Sequence, residues 1–157
     1  MIEIIKKAFK KRTKPQILTL SKCLCEDELA ELASLCVDHW SALTLDIVED
    51  NFSAVSALSP EAFVFYLPGI LLVGINEQLP GLLSYDSIVA GLDRSANSDY
   101  WDDHFKARWS LLSLDELDAV QDWILWMSDV DDGDHDDISL SRCFDTLDLL
   151  KARVQLS

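Results

Sequence analysis

Four residues in the first quarter of the chain have metal-ligand chemistry: Cys23, Cys25, Cys36 and His39. Structural zinc takes four nitrogen or sulfur ligands, and Cys36 and His39 (i, i+3) would share one helix face. The spacing argues against it. Cys23-Leu24-Cys25 lacks the two-residue gap of a zinc knuckle, and Cys36 continues an apolar stripe in which a packed thiol is the ordinary state. The expectation is four cytosolic thiols and no metal.

The stretch 129–137 carries Asp129, Asp131, Asp132, Asp134, Asp136 and Asp137 around Gly133. A calcium-binding EF-hand loop needs oxygen ligands at positions 1, 3, 5 and 12 with glycine at 6. Setting Gly133 at position 6 puts Ser128, Val130 and Ser139 at positions 1, 3 and 12, so three ligand positions fail. The stretch reads as a solvated acidic loop, with a recognition surface for a basic partner as its functional reading. His104 sits beside Asp102 and Asp103 and among Trp101, Phe105 and Trp109. No phosphate-binding glycine loop, nucleophile elbow or H-E-x-x-H accompanies it, so no catalytic residue and no cofactor is assigned. Trp101, among Asp99, Asp102 and Asp103, is either partly packed or a half-exposed anchor of the kind that concentrates interface energy.

The elements that would position these residues are helical. The chain has 157 residues, 49% of them hydrophobic, with five Trp. That supports one domain (1–157) with a sizeable core. Only 5 Gly and 4 Pro leave little material for the tight turns of a β fold. Ile2, Ile5 and Phe9 recur at helical spacing and predict a short amphipathic helix over 2–12, within a basic segment 1–14. A second helix is expected over 26–39, burying Leu29, Leu32, Ala33, Cys36 and Trp40, and a third after the Thr44 cap, burying Leu45, Val48 and Phe52. Ser59-Pro60-Glu61 is a helix start, and Pro68 is expected to interrupt that helix and open another to residue 77. Weaker patterns cover 85–92 and 99–109. Ser113-Leu-Asp-Glu116 is a capping box opening a helix to about 127, and a last helix is expected over 138–154. The expectation is an all-α single compact domain of seven or eight mostly short helices.

The segment Leu58-Ser-Pro-Glu-Ala-Phe-Val-Phe-Tyr-Leu-Pro68, with Trp40 upstream, resembles a signature of small uncharacterised bacterial helical proteins. The resemblance covers about fifteen residues. It implies a helical bacterial protein and no particular activity.

Charge is divided along the chain. Residues 1–22 hold seven Lys or Arg against one acid, and residues 23–157 hold six against twenty-seven, for a net −15. Fixed charge of that sign repels nucleic acid and anionic membrane and speeds encounter with basic proteins. The apolar face of the basic helix is expected to dock on the acidic body. The longest uncharged apolar run, 63–75, is too short to span a bilayer, and no signal peptide follows the basic start, so the cytoplasm is the expected location.

The function these features favour is a non-enzymatic acidic protein that neutralises a specific basic partner, most simply an immunity protein guarding against a bacterial toxin. Its expected contact residues are Trp101, Asp102, Asp103, Asp129, Asp131, Asp132, Asp134, Asp136 and Asp137. Two alternatives stand beside it: a nucleic-acid mimic that occupies the site of a DNA- or RNA-binding protein, and a small helical enzyme with a carboxylate-bound divalent metal.

Overall fold

The computed structural model describes residues 1–130 and 135–156. The fold is all-α and forms one compact domain. Among the described residues there are nine α-helices and no strand: α1 (Ile2–Phe9), α2 (Glu26–Leu35), α3 (Leu45–Asp50), α4 (Ala54–Ala57), α5 (Pro60–Glu77), α6 (Leu83–Leu92), α7 (Asp103–Trp109), α8 (Leu114–Val130) and α9 (Asp137–Leu156). Two 3-10 turns, Trp40–Ala42 and Ser98–Tyr100, complete the order.

The centre of the molecule is α5. Its Ser59 cap accepts the Ala62 N–H at 3.2 Å, and Pro60 occupies the first turn, where its missing N–H costs nothing. Every residue from Ala62 to Ile75 is buried. The expected break at Pro68 does not occur, and the helix runs unbroken to Glu77. An interior proline costs about 3 kcal/mol. Each fully buried Val, Leu, Ile or Phe contributes ~1.5–3 kcal/mol, and α5 buries many. Burial wins, and two expected helices are one.

α1, α3, α7 and the Trp40 turn all pack on α5. The Trp40 turn comes so close that a Cβ at Gly69 would overlap the Trp40 carbonyl oxygen and stand 2.8 Å from Leu43 Cδ1. Gly74 is equally confined, because its Cβ would strike the Tyr85 ring (2.7 Å from Cε2). The buried Tyr85 hydroxyl donates to the Leu71 carbonyl at 2.5 Å, and the ring stands edge-on to Trp123.

α1 is shorter than its periodicity predicted, ending at Phe9 rather than residue 12. Ile5 and Phe9 are fully buried where α1 meets α5 and α8. α2 also ends early, at Leu35, and its buried residues are Leu32, Leu35 and Cys36; Leu29 is 50% exposed and Ala33 lies outside the core. The cause is its neighbours: α2 rests on the short helices α3 and α4, and its first turns stay in water. Likewise α3 stops at Asp50 and leaves Phe52 exposed, while Val48 is buried.

The first residues of α6 are capped from a distance. No side chain at Leu82 does this; instead Glu49 of α3 accepts the N–H groups of Leu83 (3.0 Å) and Ser84 (3.3 Å) and the Ser84 hydroxyl (3.1 Å). A carboxylate suits the positive end of the helix dipole. Ser113 and Glu116 form the expected capping box of α8, with the Glu116 carboxylate accepting the Ser113 N–H at 2.8 Å. α8 and α9 lie against each other, and α6 supports α9. No helix among the described residues is long and apolar enough to cross a membrane.

Candidate functional site

The residues that sequence reasoning singled out do not gather in one place. Trp101, read from sequence as either partly packed or a half-exposed anchor, is only 3% exposed. Its Nε1 donates to the Ser95 carbonyl at 2.8 Å, its ring packs on Phe105, and the Arg153 guanidinium covers it at 4.8 Å. With its area buried and its N–H satisfied, Trp101 belongs to the core and offers no anchor. Asp102 caps α7, accepting the Phe105 N–H at 2.7 Å, and stands 3.4 Å from Arg94. The Phe105 N–H, with help from Arg94, holds the Asp102 carboxyl below its ordinary pKa. Asp103 is exposed in the first turn of α7.

In the acidic stretch, Asp131, Asp132 and Asp134 lie outside the described residues. Asp129 is exposed at the end of α8. Asp136 accepts the Ser139 N–H (2.8 Å) and hydroxyl (2.7 Å), which lowers its pKa and caps α9. Asp137 opens α9, exposed. Cys23 and Cys25 are exposed, and Cys36 and Cys143 are buried. His39 Nδ1 accepts the Ser41 N–H at 3.2 Å and so caps the Trp40 turn. Among the described residues no three His, Cys, Asp or Glu side chains stand together as metal ligands.

One surface feature joins charge to exposed apolar area. Between α8 and α9 runs a groove of about 360 Å³, lined by Ile124, Leu125, Leu140 and Phe144 with Ser128, Ser141 and Asp137. Leu125 is 50% exposed on its wall. α8 carries Asp115, Glu116, Asp118, Asp122 and Asp129 and not one Lys or Arg. Asp115, Asp118, Asp122 and Asp129 recur at i, i+3, i+7 and i+14, which places them along one side of the helix next to Leu125. Asp145 and Asp148 stand exposed on α9.

The cations of this region are turned to structural work. Lys151 of α9 bridges to α8, reaching Asp118 at 3.0 Å and the Gln121 side chain, and Asp148 of its own helix at 3.3 Å. Burial works against its ammonium, but the hydrogen bonds to Asp118 and Asp148 outweigh it and raise its pKa. Arg142 reaches away to Asp93 at 2.6 Å. Asp137 lines the groove itself, and Asp122, Asp129 and Asp145 fall three or four residues from its lining residues Leu125 and Ser141, on the neighbouring side of each helix. Sequence reasoning foresaw the acid excess of this half and missed the groove. Its signal was Leu125, an apolar residue off the buried stripe of Leu117, Val120, Ile124 and Met127.

Comparison with protein-family models, with curated proteins and with solved structures returns no match for this chain, so function is argued from its own geometry.

Proposed function

We propose that this chain is a binding protein, without catalytic activity of its own, that captures a basic protein partner on the α8–α9 face. The observation that carries the reading is a helix that presents Asp115, Asp118, Asp122 and Asp129 and no base at its surface, beside a groove with an exposed apolar wall. Apolar contact in a desolvated centre supplies lasting affinity, while a rim of one sign speeds encounter and selects partners of the opposite sign. Nucleases and other toxins that grip phosphates are basic, and an acidic protein that covers their surface silences them. The resemblance of residues 58–68 to small bacterial proteins makes a bacterial toxin the class of partner, with this chain as its immunity protein.

The test is co-expression with any basic protein encoded beside it. The expected complex associates more slowly as ionic strength rises. It weakens when Asp122, Asp129 and Asp145 are changed together to Asn, and separately with Leu125→Ser. A complex indifferent to both changes, or no complex at all, overturns the reading.

A further inference from the structure

A second cavity lies where α4, α5, α6 and α7 meet. It measures about 150 Å³ and is lined by Val55, Phe63, Ile88, Phe105 and Trp109, with Ser56, Ser87, Gly91, Arg94, His104 and Arg108. Two guanidiniums therefore face one small apolar chamber, each laid on an aromatic face: Arg108 over Phe63 at 4.8 Å and Arg94 over Phe105 at 5.1 Å.

Arg108 is the unusual member. It is only 7% exposed, yet no carboxylate pairs with it among the described residues. Its Nη2 donates to the carbonyls of Ser56 and Leu58, both at 2.7 Å, while its Nε finds no partner. Arg94 Nε is likewise buried without a partner. Desolvation pulls the Arg108 pKa down to about 10. A buried charge lacking its counter-charge is among the costliest features a fold can carry.

We propose that this cavity binds a small organic carboxylate with an aromatic or compact apolar body. A cavity of about 150 Å³ holds one benzene-sized ring. Phe63, Phe105 and Trp109 supply apolar walls for such a ring. The unpartnered Arg108 Nε–H supplies a charge-assisted donor for one carboxylate oxygen, both Nη2 hydrogens being committed to the Ser56 and Leu58 carbonyls. Arg94 adds a second positive charge. His104 stands exposed on the cavity lining, and its pKa is lowered by desolvation and by the charges of Arg108 and Arg94, with Asp102 opposing. An anion seated between the arginines reverses that field. The site is independent of the α8–α9 face: either can fail without the other.

The experiment uses the full chain and three probes: benzoate, acetate and inorganic phosphate. His104 is followed by NMR and Trp109 by fluorescence. Benzoate is expected to saturate at millimolar concentration or below, to raise the His104 pKa, and to bind more tightly than acetate or phosphate. Gly91 provides the decisive variant, because it lines the cavity and a Cβ there meets nothing within 4 Å. Gly91→Leu should fill the chamber, leave the far-UV circular dichroism unchanged and weaken benzoate at least about tenfold. Arg108→Lys keeps the charge but removes the Nε–H donor, with a loss of about tenfold for one charge-assisted hydrogen bond. Absence of a saturable benzoate response, or Gly91→Leu binding as well as the parent chain, overturns the proposal. Phosphate binding more tightly than benzoate overturns the carboxylate assignment.

Discussion

Arg12 donates from Nε and Nη2 to the two carboxylate oxygens of Glu116, each at 2.6 Å, across 104 residues of sequence. The same guanidinium reaches the Leu111 carbonyl, and the same carboxylate caps Ser113 at the start of α8. One carboxylate therefore terminates a helix and fastens the basic N-terminal segment to it. The Glu116 side chain is only 4% exposed, so this pair is screened far less than surface pairs.

Removing one partner of such a pair leaves the other charged and uncompensated. Glu116→Ala is expected to destabilise the fold by about 3 kcal/mol, and Arg12→Ala by somewhat less, because Arg12 is nearer to solvent. A double-mutant cycle in urea melts should give a coupling well above the ~0.5 kcal/mol typical of surface pairs. Additive single effects would mean the bidentate contact contributes nothing specific.

Three helical glycines should respond in opposite directions to alanine. Gly69→Ala and Gly74→Ala force contact with the Trp40 backbone and the buried Tyr85 ring, and each should cost ~1–3 kcal/mol despite better helix propensity. Gly91→Ala meets open space, and should stabilise by about 0.5 kcal/mol. Thermal melts of the three variants decide the matter.

Asp102 gives stability a dependence on acid. Its folded pKa is depressed by the Phe105 N–H and Arg94, so the contribution is present above the unfolded carboxyl pKa and is lost as pH falls through the folded value. Asp102→Ala should cost about 1 kcal/mol at neutral pH, the usual worth of a helix cap. The difference from the parent chain should shrink toward zero in strongly acidic buffer. An unchanged difference would mean that charge plays no part in the cap.

Thiol reagents should divide the cysteines into two pairs. Cys23 and Cys25 are exposed and should react within the native state. Cys36 and Cys143 are buried, and burial raises both pKa values, pushing Cys143 up to about 12. These two should react only after denaturation. Mass spectrometry of the labelled native protein, with two adducts expected, checks this.

Local signals were legible wherever a helix end depends on its own neighbours. The Ser59-Pro60 start, the Thr44 cap and the Ser113–Glu116 box could be read from four-residue windows, because each bond closes within three residues. What escaped depends on distant partners. Pro68 breaks a helix in water, yet here neighbours on every side outweigh the penalty. Leu29, expected in the core, is exposed because the first turns of α2 stay in water while Leu32 and Leu35 near its end are buried. Asp99, Asp102 and Asp103 left open whether Trp101 packs or stands half exposed, but those carboxylates sit on the turn and cap around it while its ring is buried. The groove and the arginine cavity depend on how whole helices pack, α8 against α9 and α4 to α7 around one point, which no short window of sequence specifies.

The wholly buried α5 has a consequence for how the protein is made. Synthesis proceeds from the N-terminus, so the ribosome completes residue 77 before α6 and α7 exist to cover this helix. α7 is finished only at Trp109. At ~5–20 residues per second, that leaves an almost uncharged apolar cylinder uncovered for about 2–6 s. The basic segment is then also without Glu116 and α8. During those seconds the nascent chain is at its most vulnerable to aggregation, and chaperones that hold apolar helices become part of its folding route.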